Sequence, residues 1–109
     1  MEARDFSRVR LHLLRRDMMT EERKQYMAKQ LAVALPVMRK KLHLKQEELC
    51  EKTGVSRSIL SGVERGKRQL YWDTFLTLMM FLSSNEISRK LFRAYDIDVE
   101  ELKEYLTVS

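Results

Sequence analysis

Residues 46–67 read QEELCEKTGVSRSILSGVERGK, and this stretch contains two short helical patterns that meet at a single glycine. Gly54 is suited to end the first pattern, because glycine readily adopts the left-handed backbone conformation in which helices stop. Ser56 is a favourable N-cap for the second pattern, since its hydroxyl can accept a hydrogen bond from a backbone N–H two or three residues later. The stretch therefore predicts a helix, a glycine turn and a second helix.

The second helix, residues 56–65, has an apolar side and a polar side. Leu60 and Val63 are three residues apart and share the apolar side. Burial of the other side would gain little, so we expect it to be offered to a polar partner, for which the DNA major groove is one solution. An ordinary helical hairpin in a small bundle is the other interpretation of the pattern. The residues expected on the polar side are Arg57, Ser58, Ser61, Gly62 and Arg65.

The composition of the whole chain favours an all-α fold. A length of 109 residues suits one domain. One proline and three glycines leave few residues for the turns of a β-sandwich, whereas good helix formers such as Leu, Met, Glu, Lys and Arg dominate. No apolar run approaches the ~20 residues of a membrane span, and the charged N-terminus has no signal-peptide core. We therefore expect a cytoplasmic protein without a membrane partner.

The net charge of +5 suits a polyanionic partner. Residues 1–30 carry eight basic and five acidic groups, residues 31–70 carry nine and four, and residues 71–109 carry four and seven. The excess of positive charge is therefore greatest in the segment that contains the two-helix motif, and the C-terminal third of the chain is acidic.

Helical periodicity extends to the N-terminal side of the motif. Residues 3–16 form an amphipathic pattern, followed by a break at residues 17–19. Thr20 is placed to cap a helix that runs to Leu42. Pro36 interrupts this helix, because proline lacks the N–H donor and clashes with the preceding turn. We expect a kink or a fresh start of the helix near residues 33–35.

Arg39, Lys40 and Lys41 lie in the last turn of that helix. Cations are favourable there because the C-terminal end of a helix carries a partial negative charge. Contact with DNA phosphates is an equally good interpretation of these three residues.

Three helices are expected after the motif, over residues 73–83, over residues 84–95 and from Asp98 onward. Residues 66–69 form a basic loop, which Leu70, Tyr71 and Trp72 are expected to anchor to the core. The helix at 73–83 is apolar on almost every side, so it is central or faces another subunit. Two capping boxes are expected, Ser83 with Glu86 and Asp98 with Glu101. The residues of the helix at 84–95 expected to face inward are Ile87, Leu91, Phe92 and Tyr95, and the last helix bears the apolar residues Val99, Leu102, Tyr105 and Leu106.

Residues 35–82 resemble the phage repressor and Cro type of helix-turn-helix, often called XRE-like. The similarity lies in the segments MRKKLHL, KQEELCEKTGVSRSIL, SGVERGKR and WDTFLTLMMFL. It implies a compact five-helix, repressor-like helix-turn-helix domain at residues 31–83. The extra helices would form an N-terminal extension, residues 1–30, and a C-terminal segment, residues 84–109.

The resemblance also implies which side chains meet DNA. Arginine can donate two hydrogen bonds to guanine, and an aliphatic group can contact the methyl group of thymine. Helix N-termini favour phosphate, because their backbone N–H groups point at the anion. The implied base-reading residues are Arg57, Ser58, Ser61 and Ile59, and the implied phosphate contacts are Gln46, Ser56, Arg65, Lys67 and Arg68. Gly62 stands where a longer reading side chain is common, and Lys45 where a Ser or Thr cap is common.

The sequence thus predicts a sequence-specific regulator of transcription that binds double-stranded DNA. We expect a repressor that binds a palindromic operator as a homodimer. Residues 1–30, the last helix, or both would build the dimer interface, or else these segments extend the core of the monomer. The alternative function is a protein-interaction module, such as an antitoxin-type helix-turn-helix protein that binds a partner protein as well as its operator.

No pattern in the sequence favours an enzyme, a metal site or a cofactor. His12 and His43 are far apart in the sequence and stand among basic or aliphatic residues without a carboxylate pairing. The sequence contains neither a glycine-rich phosphate loop nor a cluster with metal-ligand spacing. Cys50 is the single cysteine, which excludes an intrachain disulfide. We expect its thiol in the core rather than as a nucleophile.

Overall fold

The computed structural model describes residues 19–108, and within that range the chain is helical without any strand. The all-α class is therefore confirmed. The helix expected over residues 3–16 lies outside the described residues, as does most of the break expected at residues 17–19. The six described helices are α1 (Glu21–Lys41), α2 (Gln46–Thr53), α3 (Arg57–Glu64), α4 (Trp72–Ser83), α5 (Glu86–Ala94) and α6 (Val99–Leu106).

Helix α1 begins at the predicted cap, since Thr20 Oγ1 accepts a hydrogen bond from the Arg23 backbone N–H at 3.1 Å. It is a single helix of 21 residues that continues through Pro36. The fresh start expected near residues 33–35 is therefore wrong. Proline removes one hydrogen bond from the helix, but burial of an apolar side chain stabilises by about 1.5–3 kcal/mol. Leu35 and Met38, on either side of the proline, are fully buried and hold the helix against the core.

A single apolar core connects all six helices. The boundary expected between residues 30 and 31 falls inside α1, whose inner face runs the length of this core. Helix α4 is central, as its composition suggested, although Met80 remains 80% exposed. The largest fully buried side chains are Phe75, Phe92, Met27, Leu31, Leu35, Met38, Leu49, Leu60, Leu78 and Leu82. The C-terminal elements therefore contribute to the same core as the two-helix motif.

The loop before α4 is anchored by two of the three expected residues. Leu70 is buried, and the Trp72 ring stacks on Phe75 with centroids 4.7 Å apart. Tyr71, expected to be buried with them, is 62% exposed. The reason is local: Tyr71 has an extended backbone, and consecutive side chains of an extended segment point in opposite directions.

Helix α5 begins later than predicted. Ser83 belongs to α4, and the N-cap of α5 is Asn85. The Asn85 side chain donates from Nδ2 to the Phe81 carbonyl at 3.0 Å, so it closes the end of α4 instead. Three of the four residues predicted to face inward do so, since Phe92 is buried and Leu91 and Tyr95 pack against the core. Ser88, four residues before Phe92, is the other buried residue of α5. Ile87 is consequently turned outward and is 46% exposed.

Helix α6 is capped as predicted, because Asp98 Oδ1 accepts from the Glu101 backbone N–H at 3.0 Å. The Glu101 carboxylate does not return to the cap but receives Arg23 of α1, with Nε–Oε1 and Nη2–Oε1 distances of 3.0 Å. Leu102 is buried, whereas Leu106 is 50% exposed. Leu106 is the last residue of the helix and lies at the free end of α6.

Further polar contacts tie α1 to the C-terminal elements. The Tyr26 hydroxyl donates to Asp96 Oδ2 at 2.7 Å, and this hydrogen bond raises the pKa of Tyr26 above its ordinary value. Lys24 Nζ lies over the rings of Trp72 and Tyr105, at 5.4 and 5.0 Å from their centroids. None of the helices from α1 to α6 combines the length and apolarity needed to cross a lipid bilayer.

Candidate nucleic-acid interface

The turn between α2 and α3 is built around Gly54. Its φ angle is +78°, in the left-handed region, and its N–H donates to the Cys50 carbonyl at 2.8 Å. A Cβ atom added to Gly54 would meet nothing within 4 Å, so the backbone conformation and not lack of space requires glycine here. Val55, half-buried, packs against the core and fixes the turn. The helix, glycine turn and helix are confirmed.

Helix α3 is seated by its apolar side. Ser56 is the N-cap, and its Oγ accepts from the Ile59 backbone N–H at 3.1 Å. Leu60 and Val63 are 1% and 2% exposed. Burial of this pair fixes the rotation of α3 about its own axis, and thereby determines which residues face outward.

The outward side of α3 carries most of the predicted base-reading residues. Arg57, Ser58 and Arg65 are exposed, and Ser61 is half-buried beside them. Ile59 is also half-buried but packs against the core. The structure therefore brings Arg57, Ser58 and Ser61 together on the outward side of α3, whereas Ile59 lies on the side that packs against the core, next to the buried Gly62 and Val63.

Gly62 does not belong to this outward side, contrary to the sequence interpretation. It is buried, and its carbonyl accepts from the backbone N–H groups of Lys67 and Arg68 at 2.9 and 3.2 Å. A Cβ atom at this position would lie 3.1 Å from Arg68 Cβ. The close approach that glycine permits here is made by the loop after α3, which is thereby held against the helix.

That loop presents basic side chains next to α3. Lys67 and Arg68, predicted to contact phosphates, are both exposed, and Gly66 turns the chain with a φ angle of +71°. Arg65, the C-cap of α3, is exposed as well and directs its Nε toward the Ser61 carbonyl at 3.4 Å. The three cations extend the polar surface of α3 at its C-terminal end.

A buried ionic network holds α2 and α3 in place, and it was not predicted. Arg39 Nε and Nη2 donate to the two carboxylate oxygens of Glu64 at 3.0 and 2.9 Å, and Nη1 donates to the Leu44 carbonyl at 3.0 Å. The exposed fractions of the Arg39 and Glu64 side chains are 17% and 5%. The hydrogen bond to Glu64 raises the pKa of Arg39 above its ordinary value. Arg39 thus acts inside the protein, while Lys40 and Lys41 are exposed.

Gln46 joins the same network, since its Nε2 donates to Glu64 Oε1 at 3.0 Å. The end of α1, the start of α2 and the end of α3 therefore meet at one carboxylate. The sequence carries a signal for this arrangement that was not used: Glu64 is four residues after Leu60, on the buried side of the helix. A carboxylate there requires a cationic or hydrogen-bonding partner.

Arg57 has a partner on the surface. Its Nη1 donates to Glu47 Oε1 of α2 at 2.7 Å, and the two side chains are 59% and 70% exposed.

Helix α2 begins without a side-chain cap at Lys45. Instead, the Glu48 carboxylate accepts from the Lys45 backbone N–H at 3.0 Å.

Residues 19–108 contain no group of His, Cys, Asp and Glu side chains arranged to hold a metal ion. Cys50 is half-buried and packs against the core, and burial raises the pKa of its thiol. A thiol with a raised pKa forms less thiolate near neutral pH, which disfavours a nucleophilic role.

Residues 38–70 match the family described as helix-turn-helix. The match runs from the last turn of α1, through α2 and α3, to the end of the basic loop, and it confirms the XRE-like resemblance. Neither a curated protein nor a solved structure matches the chain.

Proposed function

We propose, from the premise that residues 38–70 form a DNA-binding helix-turn-helix of the XRE-like type, that the protein is a transcriptional repressor that binds a palindromic operator as a homodimer. The observation that carries the proposal is the outward side of α3. Leu60 and Val63 are buried on the opposite side of the helix, while Arg57 and Ser58 are exposed and Ser61 is half-buried beside them. A short helix with such a side is suited to the major groove.

Base recognition would depend on α3. Arg57 stands at the first position of the helix, and the N-terminal residues of a recognition helix are the ones that reach base edges. Ser58 and Ser61 would each hydrogen-bond to a base, and Ile59 would contact a thymine methyl group. The half-buried position of Ile59 limits that contact to the exposed end of its side chain.

Phosphate contacts would surround α3. Lys67 and Arg68 would bind the DNA backbone through their charges, and Arg65 would do so at the end of α3. Gln46 and Ser56 lie at the starts of α2 and α3, where the first backbone N–H groups have no partner within the helix. Because the Gln46 side chain is bonded to Glu64, its contribution would come from the backbone N–H.

Dimerisation would provide the affinity that a single unit lacks. One helix-turn-helix contacts few base pairs, and two-fold dimers of such units bind two half-sites about one helical turn apart. The proposed dimer interface lies in residues 1–30, in the last helix, or in both. In the described part of the chain α6 and α5 already contribute to the core, through Leu102 and Phe92.

Selection of bound sequences from a random duplex library, performed with the full chain, tests the proposal. We expect enrichment of a motif with two inverted half-sites, and light scattering of the complex should give two chains per duplex. A triple variant, Arg57→Ala, Ser58→Ala and Ser61→Ala, should lose the enrichment and keep the helical circular dichroism spectrum. Arg93→Ala, an exposed cation removed from α5, is the control and should enrich the same motif.

Two results would contradict the proposal. If the wild-type chain enriched no motif, sequence-specific binding would be ruled out. If it enriched a single half-site bound by one chain, the homodimer would be ruled out while DNA recognition by α3 would stand.

A further inference from the structure

A carboxylate lies beside the proposed base-reading surface. Glu47 is in the first turn of α2, and its Oε1 accepts a hydrogen bond from Arg57 Nη1 at 2.7 Å. The contact joins the two helices of the motif across the turn at residues 54–56. Both side chains are mostly exposed, so the pair faces the solvent on the side from which DNA would approach.

We propose that Glu47 determines part of the DNA specificity by positioning Arg57 to read guanine; this inference rests on the proposed function. The arginine side chain has five N–H donors in a fixed planar arrangement. The bond to Glu47 uses Nη1, on the side of the guanidinium away from Nε. The edge formed by Nε and Nη2 is left for a bidentate contact with O6 and N7 of guanine. Glu47 therefore holds the group in an orientation that preserves its reading edge.

The charge of Glu47 acts in the same direction. Without a partner, Arg57 could rotate toward the DNA backbone and bind any phosphate, which would strengthen binding to every sequence equally. With Glu47 in place, a phosphate oxygen that approached Arg57 would also approach a carboxylate, and like charges repel. The pair thus lowers affinity for arbitrary DNA while retaining affinity for the correct base pair, and the ratio between the two rises.

The experiment measures affinity for three duplexes with the full chain. The first is the duplex selected by the wild-type protein, the second replaces the one base pair at which Arg57→Ala loses its preference, and the third is a random sequence of the same length. Glu47→Ala should lower the affinity ratio between the first and second duplexes two- to fivefold, about the value of an exposed ion pair. It should also raise affinity for the random duplex.

Three comparisons separate positioning from a general charge effect. Glu51→Ala removes an exposed carboxylate one turn further along α2, so it should raise affinity for all three duplexes without changing the ratio. Glu47→Gln keeps an oxygen that accepts from Arg57 and should retain more of the ratio than Glu47→Ala. In an Arg57→Ala background, Glu47→Ala should leave the ratio unchanged, because the residue it positions is gone.

An unchanged ratio in Glu47→Ala, with the wild-type protein still discriminating between the duplexes, would overturn the inference and leave the proposed function intact. An equal fall of the ratio in Glu51→Ala would also overturn it, since the effect would then come from charge alone. If the wild-type protein itself did not discriminate, the proposed function would fail and the inference with it.

Discussion

Two Arg–Glu pairs in this protein have almost the same geometry and very different surroundings. In the DNA-binding motif, Arg39 contacts Glu64 at 2.9 Å, and the side chains are 17% and 5% exposed. Where α6 meets the start of α1, Arg23 contacts Glu101 at 3.0 Å, and the side chains are 32% and 29% exposed. Water therefore screens the second pair more than the first.

The comparison shows that an Arg–Glu ion pair has a different structural role at each of the two levels of burial. Separation of Arg39 from Glu64 would leave a charge at a buried site without a partner, which costs much free energy. The pair therefore fixes how α2 and α3 meet the end of α1. The partly exposed pair adds to a C-terminal packing that Phe92 and Leu102 already hold through burial. The Arg39–Glu64 pair thus positions the motif from its inner side, and the exposed cations Lys67 and Arg68 remain available for a partner.

The largest expected effect comes from breaking the buried pair. Arg39→Ala leaves the Glu64 carboxylate buried and without its cation, and we expect the free energy of unfolding to fall by about 3–5 kcal/mol. Urea denaturation followed by circular dichroism measures the change. Lys40→Ala, the removal of an exposed neighbouring cation, should change the free energy of unfolding by less than about 0.5 kcal/mol. A loss below 1 kcal/mol in Arg39→Ala would show that water reaches Glu64.

An intermediate effect of opposite sign is expected within α5. Ser88 is fully buried, and its Oγ has no hydrogen-bond partner among residues 19–108. An unsatisfied buried hydroxyl costs about 1–3 kcal/mol, so Ser88→Ala should raise the free energy of unfolding by about 1 kcal/mol. The control is Ser84→Ala, where an exposed hydroxyl that bonds to the Met80 carbonyl is removed. Destabilisation by Ser88→Ala would mean that the hydroxyl is satisfied in the full chain.

The smallest effect is expected from the partly exposed pair. Arg23→Ala should lower the free energy of unfolding by no more than about 1 kcal/mol. Part of this loss comes from removal of the cation–π contact with Tyr26, because the Arg23 guanidinium lies 5.2 Å from the centroid of the Tyr26 ring. Because salt screens exposed charges, the difference from the wild-type protein should shrink between 0.05 and 0.5 M salt, by about a factor of two. A cost equal to that of Arg39→Ala would remove the distinction between the two regions.

The motif was largely predictable because its signals are local. Gly54 and Ser56 act on residues within four positions of themselves, and the Leu60–Val63 pair follows from helical periodicity. The structure confirms each of these. Gly62 was misplaced for the opposite reason: its burial depends on Arg68, which the loop brings back to α3.

The C-terminal helices were less predictable because their ends depend on contacts made far along the chain. Ser83 and Glu86 have capping-box spacing, but α4 continues through Ser83, and Asn85 bonds back to Phe81. The Glu101 carboxylate, expected to close a capping box, is taken by Arg23, which is 78 residues away in the sequence. No pattern within one helix reveals such a competitor.

The Arg39–Glu64 pair lies between these cases. Its two residues are 25 positions apart, so spacing alone could not pair them. The position of Glu64 on the buried side of α3 nevertheless showed that a partner was needed, and the three basic residues at the end of α1 offered candidates. The residues proposed to contact DNA differ again, because the helical pattern predicted the exposure of Arg57, Ser58 and Arg65, whereas the packing of Ile59 against the core depends on contacts outside α3.

The central claim is that the outward side of α3 reads base pairs while the loop after it anchors the DNA backbone. It is tested most directly by measuring, at several salt concentrations, the affinities of Arg57→Ala and Lys67→Ala for the selected duplex and its single-base-pair substitutions. Arg57→Ala should lose about 1–3 kcal/mol of discrimination at one base pair in each half-site. Lys67→Ala should weaken binding to all duplexes nearly equally and reduce the salt slope by about one unit per chain. Identical behaviour of the two variants would contradict the division between reading and anchoring.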